Sequence, residues 1–414
     1  MGDITVKGGI PLYGKVCIQG SKNAALPILA ASLLHEGISI IHNCPRILDV
    51  ENTVQILREA GCLVKWQENS LIISAGNIQN TRISSEYATQ MRSSVIFLGS
   101  LLGRMGSASI PLPGGCTIGK RPIDIHLSAM ENMGVRITEE NEMILAKAER
   151  LKGTKIMLRF PSVGATENTI LAAVLAEGTT IIQNAAQEPE IAELCRFLNE
   201  KGAKIKGAGS EKIVIEGVRS LQDSEFVLMS DRIVAGTYLM AAMSAGGEIC
   251  LEKAPIFQMT AQLKVLKEMG ASMRYDKDQI QLKAPRRAKS LAMVMTRPYP
   301  GFPTDLQSQL LAVLCRAEGR SKIIENIFEG RYQIVPQLRK MGAKIEIISQ
   351  EAQIEGVEKL EGTAVRACEL RGGAALIIAG LGASGVTKIE DSWFIKRGYE
   401  DICGDLRTLG AVVG

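Results

Sequence analysis

Apolar residues fall into two alternating kinds of segment along this chain. In one kind, hydrophobic positions recur with helical spacing beside charged ones, and the segment closes on a glycine. LREAGCLVKW, MENMGVRITE, LNEKGAKIKG, LKEMGASMRY, LRKMGAKIEI and LRTLGAVVG are the six examples. Each passes from an amphipathic helix through a glycine into a short strand-like run. Their glycines, Gly61, Gly134, Gly202, Gly270, Gly342 and Gly410, recur about every 70 residues, which marks an internal repeat. A glycine there suits a left-handed helix C-cap. The other kind is apolar all round: SKNAALPILAASLL, MRSSVIFLGSLLG, GATENTILAAVLAEG, SDRIVAGTYLMAAMSAGG, TDLQSQLLAVLCRAEG and LRGGAALIIAGLGASG. A helix with no polar face is a buried helix. Most of these lead into β-branched runs such as GISIIHN, TTIIQN and SKIIEN.

The pattern predicts a repeat of helix, strand, helix, strand, strand. Six such repeats do not suit an open solenoid, because the end repeats are as apolar as the middle ones. Closed packing of three repeats per globule around buried helices is the alternative. The last repeat ends short of its second strand, and an alternating strand-like stretch, residues 1–20, precedes the first. The expected domains are therefore 21–229, and 1–20 with 230–414, with the active site in the cleft between them.

Composition narrows the chemistry. A net charge of +4 with no Lys/Arg block argues against a broad nucleic-acid surface. The nine cysteines are odd in number and contain no CxxC, and there are only three histidines. That argues against a disulfide framework, against a zinc site, and for a reducing compartment. MGDITVKGG lacks the apolar core of a signal peptide, and AALPILAASLL is too short to span a bilayer. No GxGxxG or Walker pattern opens a helix, so no cofactor and no metal are expected.

Charge placement within the repeats adds a clue. The buried helices open with Lys22-Asn23, Arg92, Glu167-Asn168, Asp231-Arg232, Asp305 and Arg371. Cations at a helix N-terminus oppose the macrodipole, unless those ends gather around an anion; the alternative is that they are plain solvated caps. PGGCTIGKRPIDIHL sets Cys116 between glycines and the Lys120-Arg121 pair. Neighbouring cations lower a thiol pKa, so this segment is either a reactive cysteine beside an anion or an ordinary surface loop. Pro111, Pro113, Gly114, Gly115 and Gly119 bracket the cysteine, as in a loop that opens and closes over a substrate.

These stretches together carry a resemblance. GSKNAALPILAA, PGGCTIGKRPIDIHL, SVGATEN, EPEI, SDRIVAGTYL, PGFPTDLQSQ, ENIFEGRY, LRGGAAL and RGYE occur in the order found in the UDP-N-acetylglucosamine 1-carboxyvinyltransferase family of enolpyruvyl transferases. The chain resembles that family from residue 3 to its end. The resemblance implies an α/β fold of two inverse α/β globules, each of three βαβαββ-type units around buried helices. It implies transfer of enolpyruvyl from phosphoenolpyruvate to the 3′-hydroxyl of UDP-N-acetylglucosamine, at the start of peptidoglycan precursor synthesis in the cytoplasm. The partners are then those two small molecules, with no nucleic acid and no membrane insertion; the oligomeric state stays open.

By the same resemblance, Lys22, Asn23, Arg121 and Arg397 would bind the phosphoenolpyruvate phosphate. Arg331 and Arg371 would face its carboxylate and the developing charge, and Arg92 would support the site. The backbone of Arg121, Pro122, Ile123, Asp124 and Ile125, with that of Ser162, Val163 and Gly164, would hold the uracil and diphosphate. Asp305 would contact the sugar hydroxyl, with Ile327 at a sugar-side backbone position. The addition–elimination needs an acid near C3 of phosphoenolpyruvate and a base near the hydroxyl; Cys116 and Asp305 are the candidates. The family's epoxide inhibitor fosfomycin alkylates the loop cysteine, so Cys116 implies sensitivity. Phe160-Pro161 stand before Ser162, where the family commonly has a basic residue, which puts one diphosphate contact in question.

Three alternatives remain. A shikimate 3-phosphate enolpyruvyl transferase would lack the GGCTIG and SVGATEN segments. An RNA 3′-phosphate cyclase would want a catalytic histidine, and His35, His42 and His126 sit in packing contexts. A non-catalytic nucleotide-sugar-binding paralogue would not need to keep Lys22, Cys116, Asp305, Arg371 and Arg397.

Overall fold

The structure is a computed structural model that describes residues 2–112, 119 and 122–414. The chain forms two compact units. One takes the described residues of Gly20–Cys116 and Arg121–Met229, the other those of Met1–Gln19, Thr117–Lys120 and Ser230–Gly414.

Each unit holds three copies of one motif. A buried helix leads to a central strand, an outer helix and a hairpin, and a further strand pairs parallel along the free edge of the central strand. The first unit buries helices Lys22–Ala31, Phe97–Met105 and Val163–Ala173. The second buries Arg232–Ala245, Gln307–Leu314 and Leu370–Gly382. Every residue of Leu370–Gly382 is buried, as expected for a helix without a polar side. Close crossings need glycine: a Cβ on Gly99 would stand 2.3 Å from the Asn168 carbonyl oxygen of a neighbouring buried helix.

The outer helices are amphipathic and stop where the repeat glycines stand. Gly61, Gly134, Gly202, Gly270, Gly342 and Gly410 all have positive φ, between 87° and 109°. Only glycine enters that region without a Cβ penalty, which is why the sequence repeats it there.

Among the described residues, five of the six sheets have four strands in a common order, and the sixth, Ser107–Pro111 with Met143–Lys147 and Arg136–Glu140, has three. In that sheet an isolated parallel bridge from Arg82 to Ser109 stands in the edge-strand position. Two sheets take their edge strands from unexpected places. Leu12–Cys17 runs into helix Lys22–Ala31 but pairs parallel with Gly247–Glu252 of the second unit. Ser224–Val227 runs into helix Arg232–Ala245 but pairs parallel with Ile38–His42 of the first. Each helix-leading strand thus belongs to the unit its own helix leaves. In the last repeat Val412–Val413 forms a short final strand, and Ile4–Lys7 lies antiparallel between it and Val386–Glu390. The N-terminal strand supplies the hairpin partner that the last repeat lacks.

Candidate functional site

Charged residues at the buried-helix starts are paired within each unit. In the first unit, the Ser21 hydroxyl accepts from Ala24 N–H at 3.3 Å and caps helix Lys22–Ala31. Lys22 is 8% exposed and Asp49 1%. The Lys22 ammonium lies 2.7 Å from the Asp49 carboxylate, which stands in the first turn of the outer helix Leu48–Ala60. A charge this deep needs a counter-ion, and the repeat's second helix supplies it. Asn23, next in the helix, is half-buried. Arg92 begins a 3-10 turn, Arg92–Ile96, rather than the α-helix its pattern suggests, and is also half-buried.

The Ser162-Val163-Gly164 segment starts the third buried helix. Ser162 Oγ accepts from Ala165 N–H at 3.4 Å, and its own N–H donates to Phe160 O at 2.7 Å. A Cβ on Gly164 would sit 2.9 Å from the His126 imidazole. That glycine lets His126 reach Asn168, with Nδ1 at 2.9 Å from the amide nitrogen. His126 is thus buried and held by the third buried helix. Ile123 and Ile125 pack on the apolar core, Pro122 and Asp124 are exposed, and the Asp124 carboxylate pairs with Arg159. Sequence reasoning passed over Arg159, a basic residue just ahead of the Phe160-Pro161 pair. Glu167 is almost wholly buried. Burial raises its pKa well above the usual carboxyl value, and the charges of Glu190 and Glu188 push it further.

The second unit's cluster is a chain of alternating charge. Asp305 lies in a 3-10 turn, Thr304–Leu306, ahead of helix Gln307–Leu314. One of its oxygens lies 2.6 Å from Arg331 Nη2 and the other 3.0 Å from Arg371 Nη2. Both guanidiniums are under 5% exposed. Arg331 also donates to Thr304 Oγ1 at 3.2 Å and lies 3.7 Å from Glu369. Glu369 in turn caps helix Leu370–Gly382, accepting the N–H groups of Arg371 and Gly372. Burial alone would lower the Arg371 pKa, but the charge of Asp305, with that of Asp231, outweighs it and the net shift is upward. Arg371 Nη1 is buried without a hydrogen-bond partner among the described residues.

Two neighbours complete this cluster. Glu325 accepts from Thr304 Oγ1 at 3.0 Å and from the N–H groups of Ile327 and Phe328 at 2.8 and 3.0 Å. The Ile327 N–H is thus committed within the protein, which leaves its carbonyl for any other contact. Half-buried Arg397 ends the 3-10 segment Ser392–Arg397. Gln19 pins the residues that follow, donating to Gly398 O at 3.2 Å and accepting from Glu400 N–H at 3.0 Å.

The structure thus brings Asp305, Arg331 and Arg371 together by direct contact. Cys116 and Arg121 lie outside the described residues. The acidic partners Asp49, Glu325 and Glu369 were missed in the sequence. Their only local signal is a carboxylate set inside an apolar context, as in Ile47-Leu48-Asp49-Val50. Among the described residues, no group of three or more His, Cys, Asp or Glu side chains is placed to hold a metal. No helix among them is long and apolar enough to cross a membrane.

The fold is shared with known enzymes. The structure of the enolpyruvyl transferase NikO from Streptomyces tendae superposes with a TM-score of 0.90 over 100% of this chain and 99% of that one, at 23% identity. EPSP synthase from Acinetobacter baumannii superposes with a TM-score of 0.76 over the whole of both chains, at 20% identity. The sequence model of the EPSP synthase (3-phosphoshikimate 1-carboxyvinyltransferase) family matches residues 6–406. Fold and match together define the class, the enolpyruvyl, or 1-carboxyvinyl, transferases.

Within that class the sequence is more specific. UDP-N-acetylglucosamine 1-carboxyvinyltransferase 2 of Caldanaerobacter subterraneus subsp. tengcongensis is 46% identical over 99% of both chains. The corresponding protein of Carboxydothermus hydrogenoformans is 45% identical over 100% of this chain and 99% of its own. The chain belongs to the UDP-N-acetylglucosamine 1-carboxyvinyltransferase family.

Proposed function

We propose that the protein transfers the enolpyruvyl group of phosphoenolpyruvate to the 3′-hydroxyl of UDP-N-acetylglucosamine and releases inorganic phosphate. The observation that carries this reading is the full-length similarity, at 46% identity, to relatives that bear the enzyme's name. Relatives of that kind favour the nucleotide sugar over shikimate 3-phosphate as acceptor, and an enzyme over a binding-only paralogue.

The chemistry assigns work to this chain's residues. A proton adds to C3 of phosphoenolpyruvate, the sugar oxygen bonds to C2, and the hydroxyl gives up its proton. A proton then leaves C3 as the C2–O bond to phosphate breaks, which restores the double bond. Asp305 is the proposed base: two hydrogen-bonded guanidiniums fix the plane of its carboxylate, the positioning a general base needs. Cys116 is the proposed acid. Lys22, Asn23, Arg121 and Arg397 take the phosphate, and Arg331 and Arg371 offset the carboxylate charge. Arg92 supports that region. The Pro122–Ile125 and Ser162–Gly164 backbones and the Ile327 carbonyl serve the nucleotide sugar. The reading places the enzyme in the cytoplasm.

The test is phosphate release from phosphoenolpyruvate with UDP-N-acetylglucosamine, run beside shikimate 3-phosphate, for wild type and Cys116→Ala. Release with the nucleotide sugar alone, reduced in the variant, is expected. Release with neither acceptor overturns the assignment.

A further inference from the structure

The opposite ends of the second unit's buried helices hold a different arrangement. Helix Arg232–Ala245 is about 21 Å long at 1.5 Å per residue, so its C-terminal end lies far from the Asp305 cluster. There a cavity of about 60 Å³ is lined by Ser244, Ala245, Gly246, Arg286, Arg287 and Arg316, among others. That is room for several waters or for one tetrahedral oxyanion. Arg316 Nη1 donates to Ser244 O at 3.0 Å, and Arg287 Nε donates to Arg316 O at 2.7 Å. Among the described residues, buried Arg316 Nε has no hydrogen-bond partner and no carboxylate pairs with Arg286, Arg287 or Arg316.

The first unit shows what that place holds in a related repeat. Arg104, near the end of its second buried helix, donates to Leu33 O at 2.7 Å, at the end of the first buried helix, as Arg316 does to Ser244 O. A carboxylate accompanies Arg104, that of Glu36 at 3.9 Å. Glu36 stands one residue before Gly37, which precedes the central strand; Gly246 stands one residue before Gly247, which begins it. The acid is thus replaced by a glycine, and a second guanidinium, Arg287, has been added. Burial lowers the pKa of both Arg104 and Arg316, but Glu36 counters it in the first case and Arg287 deepens it in the second.

We propose that this cavity is a binding site for one small oxyanion, a phosphate group or a carboxylate, which supplies the negative charge that Glu36 supplies in the other unit. Its oxygens would accept from the orphaned Arg316 Nε and from Arg287 Nη1, since Arg287 Nε and Nη2 already donate to the Arg316, Ala317 and Val357 carbonyls, with exposed Arg286 at the mouth.

The test is calorimetric titration of inorganic phosphate, at constant ionic strength in chloride, into the full-length wild type, Ala245→Glu and Arg286→Ala. Ala245 lines the cavity at the helix end, so the new carboxylate occupies the anion's place. Reaction-site residues are unchanged, so phosphate binding there is common to all three proteins and cancels. The expected result is a phosphate site present in wild type, weakened about tenfold or more in Ala245→Glu and severalfold in Arg286→Ala. In chloride alone, Ala245→Glu should also melt above wild type. A parallel acetate titration tells the sources apart: acetate that displaces phosphate identifies a carboxylate pocket, and acetate without effect identifies a phosphate pocket. Identical isotherms for wild type and both variants overturn the proposal. Arg286 is on the surface, so that arm stands even if Ala245→Glu fails to fold.

Discussion

The two units are built from one repeat, yet their helix starts treat charge differently. In the second unit Glu369, Arg331, Asp305 and Arg371 alternate in sign, and Arg331 and Arg371 each touch an acid. In the first unit Lys22 has Asp49, while Glu167 is packed near Glu188 and Glu190, which carry the same sign. The repeat supplies buried helix ends and little else. A polar group there is stable only if another element brings its complement, or if it gives up its charge. The Asp305 cluster of the second unit follows the first course, and the first unit follows both.

The sharpest way to break this comparison is to remove one acid or one base and separate activity from folding. Asp305→Asn should lower kcat for phosphate release by about 100-fold or more, with the purified protein still folded, since a carboxamide keeps the shape but not the basicity. Asp305→Ala should in addition destabilise the protein by about 3 kcal/mol in denaturant titration, because two buried guanidiniums lose their shared partner. Equal activity in Asp305→Asn and wild type would remove Asp305 from the chemistry.

Lys22 and Asp49 offer the matching experiment in the first unit. Lys22→Met should cost about 3 kcal/mol and about 100-fold or more in activity. The double variant Lys22→Met/Asp49→Leu replaces the ion pair with apolar groups of similar volume, so it should recover most of the stability and none of the activity. Recovery of both would make the pair a structural device only.

Glu167 separates the units by pH. Its folded-state pKa is raised, so the folded protein binds more protons than the unfolded chain above the unfolded carboxyl pKa of about 4.3. Its contribution is fully present below that pH and is lost as pH rises toward the folded pKa, with a slope of about 1.4 kcal/mol per pH unit. Glu167→Gln should flatten that fall in chemical denaturation between about pH 5 and pH 7. An unchanged slope would mean that the carboxyl is ionised in the folded state.

How much of this the sequence carried depends on the range of the interaction. The buried helices and their glycine caps are set by contacts within a few residues, so periodicity alone marks Leu370–Gly382 or the turn at Gly202. The family motifs place Asp305, Arg331 and Arg371 in one site, and the structure joins them. The partners were not legible. Lys22 and Asp49 come from two helices, Glu325 reaches Thr304 from the end of strand Arg320–Ile324, and Glu369 reaches Arg331 from the next repeat. Nothing local in the chain encodes which acid meets which base. The exchange of edge strands between Leu12–Cys17 and Ser224–Val227 is likewise a long-range choice, invisible in either strand's own pattern.

The smallest predicted effect tests whether the units remain equivalent where charge plays no part. Gly134 and Gly202 in the first unit and Gly342 in the second have φ of 92°, 94° and 93°, and an added Cβ would meet nothing within 4 Å at any of them. Alanine at each should cost only the left-handed backbone penalty, about 1 kcal/mol, and the same in both units. Gly61 is the exception, because a Cβ there would lie 2.3 Å from the Asn77 carbonyl oxygen. Gly61→Ala must therefore also move backbone, and should cost measurably more than the other three in the same denaturant titration. Equal losses at all four positions would show that the Asn77 turn yields freely, and that the six caps differ in sequence context but not in energy.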